Sequence, residues 1–276
     1  MLRSMFAAIS GLKSHQTMLD VTANDIANVN TIGFKAGRTT FKDSLAQMQS
    51  GAAAPNTAQG GANSRQIGLG VQLGSIDNLM SGGALQSTGN VLDVAIQGEG
   101  WFRVGSGSPP AAPANPQYTR AGNFTTNQQG YLVTQDGAYV MGRTVAGAGG
   151  TDSYLQIPPG ATNAAIGQDG SVSYDPTGGG ARVTSGFISL AKFANEAGLE
   201  RASSNRWNES SSSGTEQVNT SGGGYGLTTS GAVEMSNVDL ASEFTNMITA
   251  QRGFQANSRV ITTADEVLQD LVNLKR

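Results

Sequence analysis

Apolar residues recur at intervals of seven near both ends of the chain. Met5, Leu12, Leu19 and Ile26 form one series, widened by Ile9 and Ala23 one helical turn away. Leu240, Met247, Phe254, Ile261 and Leu268 form a longer one; Val260, Val267 and Leu274 run beside it, and Phe244 and Leu271 fill gaps. A strict seven-residue repeat holds one stripe of a helix against a partner and favours left-handed supercoiling. The pattern therefore predicts a helix at each end, with Asn237 or Asp239 as N-cap of the second. Polar residues flank the stripes: Asn24, Asp25 and Asn28 at one end, and Glu243, Asn246, Arg252, Asn257, Arg259, Asp265 and Glu266 at the other. A helix from Leu240 to Leu268 would run about 45 Å at about 1.5 Å per residue. That exceeds the width expected of a domain of this size, so the stripes are expected to be adhesive and to bury against neighbours in an assembly.

Between the ends the period shortens to two. Leu92, Val94 and Ile96 alternate with Asp93 and Ala95, and Trp101-Phe102-Arg103-Val104 follows Gly98-Glu99-Gly100. Hairpins are predicted at Phe124–Tyr131 around Gln129-Gly130, at Tyr131–Met141 around Asp136-Gly137, and at Ile166–Tyr174 around Asp169-Gly170, because Asp-Gly supports the positive φ of tight turns. Phe187-Ile188-Ser189-Leu190 reads as a further strand. Pro109, Pro110, Pro113 and Pro116 mark an exposed loop, and Ser210–Ser213 and Gly222–Gly224 read as flexible. Glycine follows the same division: of 38 in the chain, three lie in residues 1–45 and one in 232–276, while all eight prolines lie between. The fold class is α+β: N- and C-terminal α-helices forming a coiled-coil-like pair, with an inserted antiparallel, turn-rich all-β domain. The expected boundaries are 1–30 for the N-terminal helix, 31–75 for a connecting segment, 76–230 for the β domain and 231–276 for the C-terminal helix.

Composition then removes functions. The 276 residues carry 17 Lys and Arg against 20 Asp and Glu, a net charge of -3. That balance argues against sequence-independent binding of nucleic acid, which needs clustered cations. With no cysteine, disulfides, thiolate metal sites and cysteine nucleophiles are excluded, and copies of the chain cannot be cross-linked through sulfur. No apolar run reaches the length of a spanning helix. His15 is the single imidazole and reads as a helix-surface or interface residue. Gly68-Leu69-Gly70 with Gly74 and Asp93 lacks the strand–turn–helix context of a dinucleotide fingerprint. Asp136, Asp169 and Asp175 sit by turns, where Asp bonds locally, and Asp265 and Glu266 point about 100° apart on a helix. No catalytic, cofactor-binding or metal site emerges, and no small-molecule substrate is implied. Met5-Phe6-Ala7-Ala8-Ile9 is too short for the apolar core of a cleaved leader. The rival class, a β-rich binding or hydrolytic domain with oligomerising ends, would need a cleft of convergent carboxylates.

The motifs themselves resemble a known family. Gly11-Leu12 through Leu19-Asp20-Val21, Asn24-Asp25-Ile26-Ala27-Asn28 and Thr31-Ile32-Gly33-Phe34-Lys35 are similar to the N-terminal signature of the axial proteins of the bacterial flagellum, the rod and hook family. Leu92-Asp93-Val94-Ala95-Ile96 with Gly98, Gly100 and Phe102, and then Tyr118-Thr119-Arg120, resemble its centre. Ser236-Asn237-Val238-Asp239-Leu240 and Asn246-Met247-Ile248 through Gln251-Arg252-Gly253-Phe254-Gln255 resemble its C-terminus. The resemblance implies a non-enzymatic subunit exported unfolded through the flagellar type III apparatus without a cleaved leader, to the extracellular hook or the basal body. There it would polymerise into a tube with terminal helices inside and β domains outside. The ending Leu271-Val272-Asn273-Leu274-Lys275-Arg276 resembles the hook protein, whereas the length and Ile188–Phe193 with Gly198-Leu199 resemble the distal rod. A compact hook protein reconciles both, with a torque-transmitting, bending tube as its function; the distal rod subunit, a drive shaft, is the alternative. The implied partners are further copies of the chain, the distal rod, hook cap and hook–filament junction proteins, and the export apparatus. The expected assembly interface is Met5, Ile9, Leu12, Leu19, Ile26, Leu240, Phe244, Met247, Phe254, Ile261 and Leu268.

Overall fold

A computed structural model describes residues 2–54, 60–107, 109, 115–147, 149–177 and 180–274. Pro110, Pro113, Lys275 and Arg276, singled out above, lie outside the described residues. The chain forms two compact units, one from residues 1–27, 37–78 and 239–276, the other from 28–36 and 79–238.

The first unit holds both helices. Helix α1 spans Leu2–Ala27 and helix α2 spans Leu240–Asn273. Of the two candidate caps, Asp239 performs the role: its carboxylate accepts from the Ala241 N–H at 3.0 Å, satisfying one of the orphan donors of the first turn. Between them in sequence lies an antiparallel ribbon. Gly37–Asp43 pairs with Val71–Asn78, and Ala46–Ser50 pairs with Arg65–Gly68. Gly68-Leu69-Gly70 falls between two of these strands, where Ser44 donates to the Gly70 carbonyl and Leu69 to that of Leu45. The glycines therefore serve a strand connection. Asp25, expected on a polar flank, is almost fully buried. Its carboxylate accepts from the Gly37 N–H at 3.0 and 3.2 Å, and this bond ties the ribbon to α1.

The second unit is antiparallel β-structure throughout its strand pairs, most of it one sheet of thirteen strands among the described residues. Trp101–Gly105 runs through its middle, bonded to Tyr139–Arg143, Gln117–Thr119 and Leu190–Lys192. The turns fall where their residues require. Gly130, Gly137 and Gly170 all have φ near +80° (85°, 81° and 79°), a region open to glycine at no steric cost. Val94, Ala95 and Ile96 are all buried, so this strand is covered on both faces, not one. The strand expected over 187–190 is two, Val183–Ile188 and Leu190–Lys192, with Ser189 donating to Met141 between them. Ser210–Ser213 is an ordered turn, contrary to its composition: Ser213 is fully buried and its hydroxyl oxygen accepts from the Ser210 N–H at 3.0 Å.

Two apolar clusters fill the unit. One contains Val94, Phe102, Phe124, Leu132, Val140, Val172 and Leu190; the other contains Trp101, Tyr118, Phe193, Leu199 and Trp207. Charged groups are buried among them, and Arg103 is paired. Arg103 donates to Glu216 at 2.9 and 2.8 Å and to Asp152 at 2.8 Å, and the Tyr118 hydroxyl donates to Glu216 at 2.8 Å. Burial together with Glu216 raises the Tyr118 phenol above its usual range. A buried cation without such partners would cost several kcal/mol.

Candidate assembly interface

The two helices lie against each other, and the residues at their closest approach are small. A Cβ at Gly253 would lie 2.5 Å from ring atoms of His15, and one at Gly11 would lie 2.8 Å from the Asn257 amide nitrogen. Ala8, Gly11 and Ser14 of α1 are buried, as are Ala250 and Ala264 of α2. The missing side chains at Gly253 and Gly11 leave the room that the His15 ring and the Asn257 amide of the facing helix occupy. The α1 side facing the ribbon is specified just as locally. The Ser10 hydroxyl accepts from Val71 N–H at 3.3 Å, and His15 meets the ring of Phe41 edge-on at 6.3 Å. His15 is thus a packing residue between α2 and the ribbon.

The eleven residues expected at the interface divide into two groups. Met5, Leu12, Leu19 and Ile26 of α1, and Met247, Phe254, Ile261 and Leu268 of α2, are half-buried within the chain itself. Ile9, Leu240 and Phe244 remain exposed, Phe244 by 50%. The heptad stripe on α2 is therefore partly consumed inside the subunit. Beyond it, Phe6, Ile248, Val260, Val267 and Leu271 are exposed as well. The ribbon of the same unit also exposes large apolar groups, among them Leu45, Met48 and Ile76, and exposed apolar surface on this scale marks an interaction face.

The seam of Ala8, Gly11, Ser14, Ala250, Gly253, Asn257 and Ala264 contains no large apolar residue and so lies outside the seven-residue stripes. Its signal was nevertheless present, since 250, 253, 257 and 264 keep helical spacing. Among the described residues no group of three or more His, Asp or Glu side chains could share a metal ion. What the arrangement offers is contact.

Comparison with known proteins adds three family matches. Residues 5–35 match the model described as flagella basal body rod protein, residues 95–174 the flagellar hook protein FlgE/F/G D1 domain, and residues 229–274 the flagellar basal body rod FlgEFG protein C-terminal. The flagellar basal-body rod protein FlgG of Bacillus subtilis is 50% identical over 278 residues, with all of both chains covered. The rod protein of the same name in Agrobacterium fabrum is 40% identical over 96% of this chain and 97% of its own. Borreliella burgdorferi supplies both kinds of relative: its FlgG is 34% identical over 280 positions, and its flagellar hook protein FlgE is 28% identical over 447.

Proposed function

The chain belongs to the family of flagellar basal-body rod and hook proteins, and from that premise we propose that it is the distal rod subunit of the bacterial flagellum, a structural element of the drive shaft. The observation that carries the choice of rod over hook is end-to-end correspondence. The Bacillus subtilis rod protein aligns over 278 positions with this chain's 276 residues, whereas the hook relative needs 447. A hook with an additional outer domain would stretch an alignment in that way. This favours the distal rod over the compact hook expected from the C-terminal ending and the length together.

Polymerisation follows from the first unit. The half-buried heptad positions Met247, Phe254, Ile261 and Leu268 hold α2 to α1 as a coiled-coil-like pair, and the exposed set with Phe244, Ile248, Val260 and Val267 meets other copies. Unlike patches meeting in a repeating, non-closing contact give a filament and not a ring. On this reading the neighbours are further copies of the chain and the hook subunits that continue the tube. The hook cap and the junction proteins belong to the hook reading. The subunit would reach its place through the flagellar type III export apparatus.

The test is immunogold electron microscopy of purified basal bodies with antibody to the β-rich unit. Label confined to the straight shaft within the envelope supports the rod subunit. Label along the curved segment outside it would return the assignment to the hook.

A further inference from the structure

The second unit contains a buried cluster of charges drawn from opposite ends of the chain. Lys35, eight residues after Ala27 ends α1, has no exposed side-chain surface. Its ammonium donates to the Glu234 carboxylate at 2.6 Å and to the Ser81 carbonyl at 2.8 Å. Glu234 ends the strand Ala232–Glu234, five residues before the Asp239 cap of α2, and is 1% exposed. Its second oxygen accepts from Arg120 at 3.1 Å, and Gly83 N–H adds a bond to the first at 2.9 Å. Arg120 also donates to the Gly98 carbonyl at 2.9 Å. One carboxylate therefore answers two buried cations. Burial pushes the Lys35 ammonium below its usual range and Glu234 draws it back up, so the cation depends on a group 199 residues away.

Backbone bonds close the same joint. Gly33 N–H donates to the Glu234 carbonyl at 2.8 Å. The Asn237 side chain accepts from Ala36 N–H at 2.8 Å and donates to the Leu79 carbonyl at 2.8 Å. In sequence, residues 28–36 follow α1 and residues 234–238 precede α2.

We infer that Lys35, Glu234 and Arg120 form an electrostatic lock that makes docking of residues 28–36 conditional on docking of residues 234–238, so that the unit holds its two exits to the helices only as a pair. The physical basis is the asymmetry of buried ions. A complete cluster is close to neutral in net energy, but a cation left without its carboxylate carries an uncompensated desolvation cost. A chain with only one end docked meets that cost, and a chain with both ends docked does not. The inference stands on the second unit alone and holds whether or not the chain is a rod subunit.

Hydrogen exchange of the full-length chain tests it. Glu234→Gln removes the one carboxylate that both cations hydrogen-bond and leaves only the electrostatic influence of Glu196 on them, and exchange of the amides in 30–36 should accelerate by roughly a hundredfold, the order expected when a buried pair is broken. Adding Lys35→Met removes one of the stranded cations. Exchange in 30–36 should then slow, by about tenfold, relative to Glu234→Gln alone. Side chains that merely fill space predict the reverse sign, because a second truncation loosens the joint further. If Glu234→Gln does not fold, folding of the double variant is itself the rescue. A double variant that exchanges faster than Glu234→Gln, or that also fails to fold, overturns the lock.

Discussion

Phe244 separates assembly from folding more cleanly than any other residue of the stripe. Half of its surface is exposed in the single chain, and a phenylalanine buries about 200 Å² when fully covered. Covering the remaining half in a polymer removes about 100 Å² from water, worth about 2.5 kcal/mol at about 25 cal/mol per Å². Phe244→Ala should therefore raise the critical concentration for polymerisation roughly sixtyfold, at about 1.4 kcal/mol per tenfold. Phe244→Asp adds the cost of burying a carboxylate and should leave no polymer. Folding should scarcely change, because surface substitutions of this kind usually stay within about 0.5 kcal/mol. Sedimentation of purified subunit across a concentration series reads the first quantity, and thermal melting monitored by circular dichroism reads the second. Phe254→Asp behaves differently: Phe254 is half-buried within the subunit, so charge there disturbs the helix pair as well as assembly. An unchanged critical concentration for Phe244→Ala would refute the reasoning, as would a loss of polymer that melting shows to come from unfolding.

Other consequences follow from particular contacts. Ala250 is completely buried in α2, so Ala250→Leu should overpack the seam and destabilise the helix unit by about 1–3 kcal/mol, visible in urea unfolding of the first unit. Gly33 has φ +67° and a Cβ there would lie 2.6 Å from the backbone of Arg120 and Ala121. Gly33→Ala should cost at least about 2 kcal/mol and lower Tm by about 5 °C or more. Burial raises the Glu196 carboxyl, with Arg120 opposing. A carboxyl raised in the folded state binds its proton more tightly there than in the unfolded chain, so its ionised form costs stability as pH rises above about 4.3. Glu196→Gln should therefore stabilise the protein at pH 7 and give no gain below about pH 4. Denaturant titrations across that range check the sign, and a gain confined to low pH would contradict it.

The sequence made some features legible because their causes are local. Seven-residue spacing disclosed α1 and α2, and Asp136-Gly137 and Asp169-Gly170 disclosed their turns, since positive φ at glycine is a property of a few neighbouring residues. The ribbon was not legible. Gly37–Asp43, Ala46–Ser50 and Arg65–Gly68 have no buried residue, and without a covered face a strand shows no alternation of apolar and polar positions. The seam was hidden for a related reason, since Ala8, Gly11, Ala250 and Gly253 contribute through absent side-chain volume, which a hydrophobic scan passes over. Lys35 and Glu234 were hidden by distance, because no local pattern joins residues so far apart. Phe244 was found by its spacing, but only the structure distinguishes it from Phe254, which the subunit already half-buries.

On the proposed function, the exposed side of α2 that carries Phe244 and Ile248 is covered by other copies in the flagellar shaft. The chain contains no cysteine, so a single introduced thiol reports its own surroundings. Gln251→Cys places that thiol at an exposed position on the Phe244 side of α2, seven residues beyond Phe244 and three beyond Ile248, and Thr184→Cys supplies an exposed control in the β-rich unit. The measurement is maleimide labelling of each variant as soluble subunit and within purified basal bodies. Gln251→Cys should label readily in the free subunit and be protected after assembly, while Thr184→Cys keeps measurable labelling in both. Equal labelling of Gln251→Cys before and after assembly would show that this side of α2 stays uncovered.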